Sequence, residues 1–202
     1  MRRSSSKLQP RVKNLKDIVA LKNLVLHSSP RMSYHTDVQA IFRALADAQL
    51  EYEWIVTDFE CIALGHSSLP EAFQSGNDED RLGNRAVRFS GLELQRIVDM
   101  HQLQFVWGVL SGFPPDRVPD VSTLVPYPIA DGLSTLWSAD ATVQHPQAEV
   151  EIVCTDGAFT SFRTRRQELG DRFATYFPGT IDLDSPMSRI KQRWRRFRRS
   201  GV

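Results

Sequence analysis

The stretch Ala148 to Arg163 reads AEVEIVCTDGAFTSFR. Val150, Ile152 and Cys154 alternate with Glu149, Glu151 and Val153, the period of a strand with one better-buried face. Asp156-Gly157 then breaks the run. That dipeptide suits a two-residue hairpin turn, because both central positions of a type I′ turn need φ above zero. Phe159 and Phe162 follow three apart, so the return strand is short or bulged. A hairpin commits the chain to a sheet. The remaining residues must then supply helices to cover it.

They are sufficient for that. The chain has 202 residues, 41% of them hydrophobic, enough for one sizeable core. Net charge is +1, but its layout is uneven. Residues 1–22 hold seven Lys/Arg against the single acid Asp17, and residues 185–202 hold seven against none. Residues 23–184 keep 11 basic and 23 acidic residues, a balance of −12. An acidic body is thus flanked by two cationic ends. Cys61 and Cys154 sit in strand-like apolar runs and read as small core hydrophobes, not as a disulfide framework. No apolar stretch reaches the ~18 residues of a membrane span. The start carries Arg2-Arg3 but no apolar signal-peptide region, since Lys13, Lys16 and Lys22 interrupt. The plain expectation is a cytoplasmic, reduced protein.

In chain order, residues 1–22 read as a basic, disordered arm. Asn23–His27 reads as a strand. Thr36 or Asp37 caps a helix whose Val38, Ile41, Phe42, Leu45 and Ala46 share one face, ending near Gln49. Glu51–Asp58 alternates as a strand that can run on to Leu64. Residues 65–85 are a long polar loop, and Ala86–Phe89 a short strand. Ser90-Gly91-Leu92-Glu93 matches a capping box before a helix that buries Leu94, Ile97, Val98 and His101. Leu103–Phe113 is apolar on both faces, with Phe105, Trp107 and Val109 on one and Val106 and Leu110 on the other; that marks a central strand. Six prolines in residues 114–147 predict an irregular surface wrap. Leu169, Phe173, Tyr176 and Phe177 mark a helix stopped by Pro178-Gly179. Ser185-Pro186 opens a basic C-terminal helix over 185–202 with a stripe of Met187, Ile190, Trp194 and Phe197.

The Trp54 strand after the first helix, Ser90-Gly91-Leu92-Glu93-Leu94, the strand ending Phe113-Pro114 and the acidic strand Glu149–Val153 together carry a resemblance. Over residues 24–177 the chain resembles a bacterial domain family of unknown function, similar to small α+β immunity proteins of toxin systems. The resemblance implies binding and brings no catalytic residues with it.

The residues offer few chemical constellations. Asp58 and Glu60, two apart in a strand, would face one side and could bind Mg²⁺ or divide acid and base roles in a metal-dependent hydrolase. Glu149 and Glu151 repeat the pattern. For both pairs the plainer reading, an exposed acidic face, is preferred. His35-Thr36-Asp37 reads as a cap beside a loop histidine. Cys61 with His66 lacks a third group for a thiol nucleophile. No glycine-rich phosphate loop, His/Cys metal spacing or nucleophile elbow is present in the sequence. No metal or cofactor is expected.

The sequence thus predicts one α+β domain over 23–184. It has a mostly antiparallel sheet, three to four helices chiefly on one face and the basic C-terminal helix beyond. Phe42, Trp54, Ile97, Phe105, Trp107 and Ile152 should be buried together. The leading functional expectation is non-catalytic: an immunity-type protein whose acidic body, through Asp78, Glu79, Asp80, Glu149 and Glu151, takes a basic toxin-like protein. The alternative is an accessory protein that meets nucleic acid or anionic lipid through Arg189, Lys191, Arg193, Arg195, Arg196, Arg198, Arg199 and Trp194.

Overall fold

The computed structural model describes residues 21–66, 68–74, 85–130, 138 and 141–185. The N-terminal arm, the acidic run Asp78-Glu79-Asp80 and the basic C-terminal helix with Arg189 to Arg199 lie outside the described residues, apart from Leu21, Lys22 and Ser185.

Among the described residues the chain forms seven strands and three α-helices. The strands are β1 (Lys22–Leu26), β2 (Glu53–Ala63), β3 (Ala86–Ser90), β4 (Leu103–Phe113), β5 (Val150–Thr155), β6 (Phe159–Thr164) and β7 (Ile181–Asp182). The helices are α1 (Val38–Leu45), α2 (Gly91–Met100) and α3 (Gln167–Tyr176). The strands make one sheet in the order β3-β2-β4-β5-β6-β1-β7, with every neighbouring pair antiparallel. The fold is therefore α+β, with β4 and β5 in the middle. The two-residue β7 was not foreseen from its sequence.

Local signals position the helices. The Asp37 carboxylate accepts from Ala40 N at 3.0 Å and from Ser33 N at 3.0 Å, which caps α1. The α-helix ends earlier than its apolar pattern suggests. Ala46 and Asp47 take φ of 51° and 68°, and a 3₁₀ turn at Ala48–Glu51 follows. That turn offers Gln49 O to Trp54 Nε1 at 2.9 Å. The capping box of α2 is present in both directions: Ser90 Oγ accepts from Glu93 N, and Glu93 Oε2 accepts from Ser90 N at 2.8 Å. All three helices pack on one face of the sheet, around a core that includes Ile41, Phe42, Trp54, Leu94, Phe105, Ile152 and Phe173.

Two parts of the core expectation are corrected. Ile97 is only partly buried at the edge of that core, and His101 is likewise half-buried. Trp107 lies on the other face, partly buried against Val109, Ala130 and Val153. Simple alternation would put Phe105 and Trp107 together. The strand is irregular at Gly108, where a Cβ would stand 2.9 Å from the Phe105 ring, and pairing with β2 slips between Thr57 and Glu60. Phe105 and Leu110 consequently serve one face while Trp107 and Val109 serve the other.

The hairpin also differs by one residue. Asp156 and Gly157 have φ of 53° and 55°, and Ala158 N donates to Thr155 O at 3.1 Å, as a two-residue turn requires. The ladder, however, resumes at Thr155 opposite Phe159. Ala158 is an extra residue, and the register moves one place along. Glu151 comes to lie opposite Arg163 instead of Phe162.

The second face is covered too. The proline-rich segment 114–148, which holds a 3₁₀ turn at Val121–Thr123, packs Leu124, Val143 and Ala148 on Ile55 and Phe113. Ala130 packs on Val109 and Val153. We call this segment the strap. Trp54→Ala should cost about 3–5 kcal/mol in denaturant melts, as a fully buried aromatic. Trp107→Ala should cost only about 1–2 kcal/mol, because its burial is partial. Equal costs would contradict the two-faced assignment.

Candidate functional site

The hairpin carboxylates separate into two environments. Glu149 keeps 23% of its side chain exposed. Its Oε1 accepts from Arg117 Nη2 at 2.7 Å and its Oε2 from the Tyr52 hydroxyl at 3.4 Å. Arg166 donates to that same hydroxyl at 3.1 Å. Burial pushes the Tyr52 phenol up to about 12. Glu149 is thus a rim carboxylate already inside a bonded group.

Glu151 overturns its reading as a partner-facing residue. It is fully buried under the strap. Its Oε1 accepts from Arg163 Nη1 at 2.7 Å and its Oε2 from Gln144 N at 2.8 Å. Arg163 is 1% exposed and also donates to Thr142 O at 3.4 Å. Burial pushes the Glu151 carboxyl up and the Arg163 guanidinium down, while each charge pulls the other back. A carboxylate so enclosed meets no partner. Its role is to hold the strap.

Asp58 and Glu60 differ in what they touch. Asp58 sits at a bulge with φ of 45°, where β2 loses register with β4. The bulge turns Asp58 toward the strap, and its Oδ2 accepts from Ala130 N. Asp58 N donates to the Tyr127 hydroxyl at 3.0 Å, and that hydroxyl donates to Arg85 O at 2.7 Å. Next to it, Thr57 Oγ1 donates to Pro128 O at 2.8 Å. Glu60 stays exposed. One oxygen of Asp58 is thus spent as a strap clip, which counts against the two-carboxylate site expected of Asp58 and Glu60. Among the described residues, no three of His, Cys, Asp and Glu gather closely enough to hold a metal ion.

The remaining candidates follow the plainer readings. Cys61 and Cys154 are free and buried in the helix-side core. Burial pushes the Cys61 thiol up to about 12 and the Cys154 thiol higher still, so neither supplies a thiolate near neutral pH. His66 is exposed. His35 is a loop residue whose Nδ1 lies 3.0 Å from His27 O, and Asp37 is the α1 cap. Among the described residues no helix is long and apolar enough to cross a membrane.

One concavity has no signal in the sequence. A cleft of about 590 Å³ opens between α1 and α3. Arg31, Arg43, Arg172, Tyr176, Glu168 and Asp171 line it. The Arg31 guanidinium lies over the Tyr176 ring at 4.7 Å, and Arg172 Nη1 donates to Leu45 O at 3.1 Å. These residues come from a loop and from the outer faces of two helices. No spacing links positions 31, 43 and 172, and only the packing of α1 on α3 gathers them. An exposed arginine on each element, beside otherwise apolar packing faces, was the only available hint.

The strap-clip role predicts opposite outcomes for the two former partners. Asp58→Ala should destabilise the protein by about 1–3 kcal/mol, since Ala130 N loses a charged acceptor and alanine tolerates positive φ poorly. Glu60→Gln should stay within about 0.5 kcal/mol of wild type. Urea melts of both variants check this. A neutral Asp58→Ala would remove the clip.

The chain matches no known protein family, and no characterised protein or solved structure is detectably similar to it.

Proposed function

We propose that this chain is a non-catalytic binding protein of the immunity type, whose acidic body captures a basic partner protein such as a bacterial toxin. One observation carries the reading. The side chains best suited to chemistry are already spent on structure: Asp58 on the strap, Glu151 on Arg163, and both thiols on the core. The charge that remains is long-range field. Over the described residues 18 carboxylates stand against 11 cationic side chains. Over residues 23–184 the balance is −12. Such a field speeds encounter with a cationic partner and disfavours acidic ones. Glu149 sits at the exposed rim of this body, and the acidic run Asp78, Glu79 and Asp80 supplies further charge to it. We assign the role to the cytoplasm, where two free buried cysteines persist without a redox partner.

The test begins with affinity capture by the full chain from its native cell. The captured protein should carry net positive charge. With that partner purified, the association rate should fall as salt rises from 0.01 to 0.15 M, over which the Debye length shortens from ~30 to ~8 Å. The double reversal Asp78→Lys, Glu79→Lys should slow association more than it speeds dissociation. An association rate flat across that salt range would remove the electrostatic basis of the reading.

A further inference from the structure

The α1–α3 cleft differs in charge from the body that carries it. Its two carboxylates are both engaged by cations flanking the cleft. Glu168 Oε1 accepts from Arg166 Nε, and Arg166 also holds Glu51. Asp171 lies 3.4 Å from Lys22 Nζ. The three cleft arginines are compensated less: of the three, only Arg172 feels the charge of Glu168, and at longer range than an ion pair. Arg31, Arg43 and Arg172 form no ion pair with any described residue. Arg31 meets only the face of Tyr176 through its guanidinium, and Arg172 gives one hydrogen bond to a backbone carbonyl. A guanidinium carries five N–H donors in a planar fork, so most of the donors around this space are unspent.

We propose that this cleft binds a small oligoanion bearing phosphoryl oxygens. A single carboxylate satisfies one guanidinium fork, whereas three forks around one space match a group with several oxygens and more than one negative charge. The volume of about 590 Å³ falls within the range of small-molecule sites and is far smaller than a duplex footprint. The Tyr176 ring already carries Arg31 on one face, so recognition rests on the anion and not on stacking of an aromatic base. The site is independent of the acidic binding role proposed above.

The probe is inorganic pyrophosphate, titrated calorimetrically into the full chain at fixed ionic strength. One saturable site is expected. Tripolyphosphate and ATP should bind with similar affinity to each other, because the base adds little. Arg43→Gln and Arg172→Gln should each weaken binding about tenfold or more, the effect of losing hydrogen bonds to a charged group. Arg88→Gln, on β3 and paired with Glu53 2.9 Å away, should leave it unchanged. Arg172 also holds the end of α1, so a lowered melting temperature there would transfer the decision to Arg43→Gln alone. Absence of a saturable heat, or equal weakening by Arg43→Gln and Arg88→Gln, would overturn the proposal. ATP binding that greatly exceeds tripolyphosphate binding would overturn the phosphoryl basis of recognition.

Discussion

Glu151 and Arg163 face each other across β5 and β6, and the second face of the sheet is organised around them. They occupy the middle of a row that crosses the sheet. Ile55 lies opposite Ser111, Ser111 opposite Glu151, Glu151 opposite Arg163 and Arg163 opposite Asn23. All five are essentially buried. Taking two charges out of water costs several kcal/mol per ion, and only good geometry with further hydrogen bonds offsets it. Here the strap supplies those bonds. Gln144 N bonds Glu151 and Thr142 O accepts from Arg163, and Asn23 Nδ2 donates to Ser138 O at 3.0 Å. The pair therefore requires the strap. Among its described residues the strap has little regular structure beyond the 3₁₀ turn at Val121–Thr123, and the pair is one of its anchors beside Asp58 and Thr57.

This dependence also explains where binding can occur. Among the described residues, the sheet is covered by helices on one face and by the strap on the other. Its middle strands are doubly buried, as their near-continuous apolar runs require. The interactions proposed above use the rims and the outer sides of the helices. Glu149 belongs to the first region, and the arginine cleft between α1 and α3 to the second. The body is acidic and the cleft is cationic, so the molecule is polarised at the scale of a few ångströms as well as along its chain.

Much of the architecture was legible because local rules were enough to set it. The Ser90–Glu93 capping box, the Asp37 cap, the doubly apolar β4 and the Asp156-Gly157 turn each act within a few residues. What was not legible depends on one-residue register or on distant packing. Ala158 shifts the hairpin by one place, which exchanges Phe162 for Arg163 opposite Glu151. The alternation of β5 reveals that two faces exist but not that the strap of residues 114–148 will cover the polar one. Asp58 and Glu60 have strand spacing, yet Asp58 is taken up by Ala130 N, a partner 72 positions away that no local spacing reports. The irregularity at Gly108 and the register slip between Thr57 and Glu60 separate Trp107 from Phe105. The cleft arginines share no sequence relation that any periodicity could report.

The central claim is that the buried ion pair fastens the strap to the sheet. Amide hydrogen exchange in Arg163→Met, compared with wild type, tests it most directly. Gln144 N–H donates to Glu151, and Ile129 N–H donates to the Gln144 side chain, so both report on the strap. Removing one partner of a buried pair costs about 3–5 kcal/mol, which corresponds to a loss of protection of at least about a hundredfold at these two amides. His101 N–H, which closes α2 on the opposite face, should keep most of its protection. Unchanged protection at Gln144 and Ile129, or a loss shared equally by His101, would contradict this account.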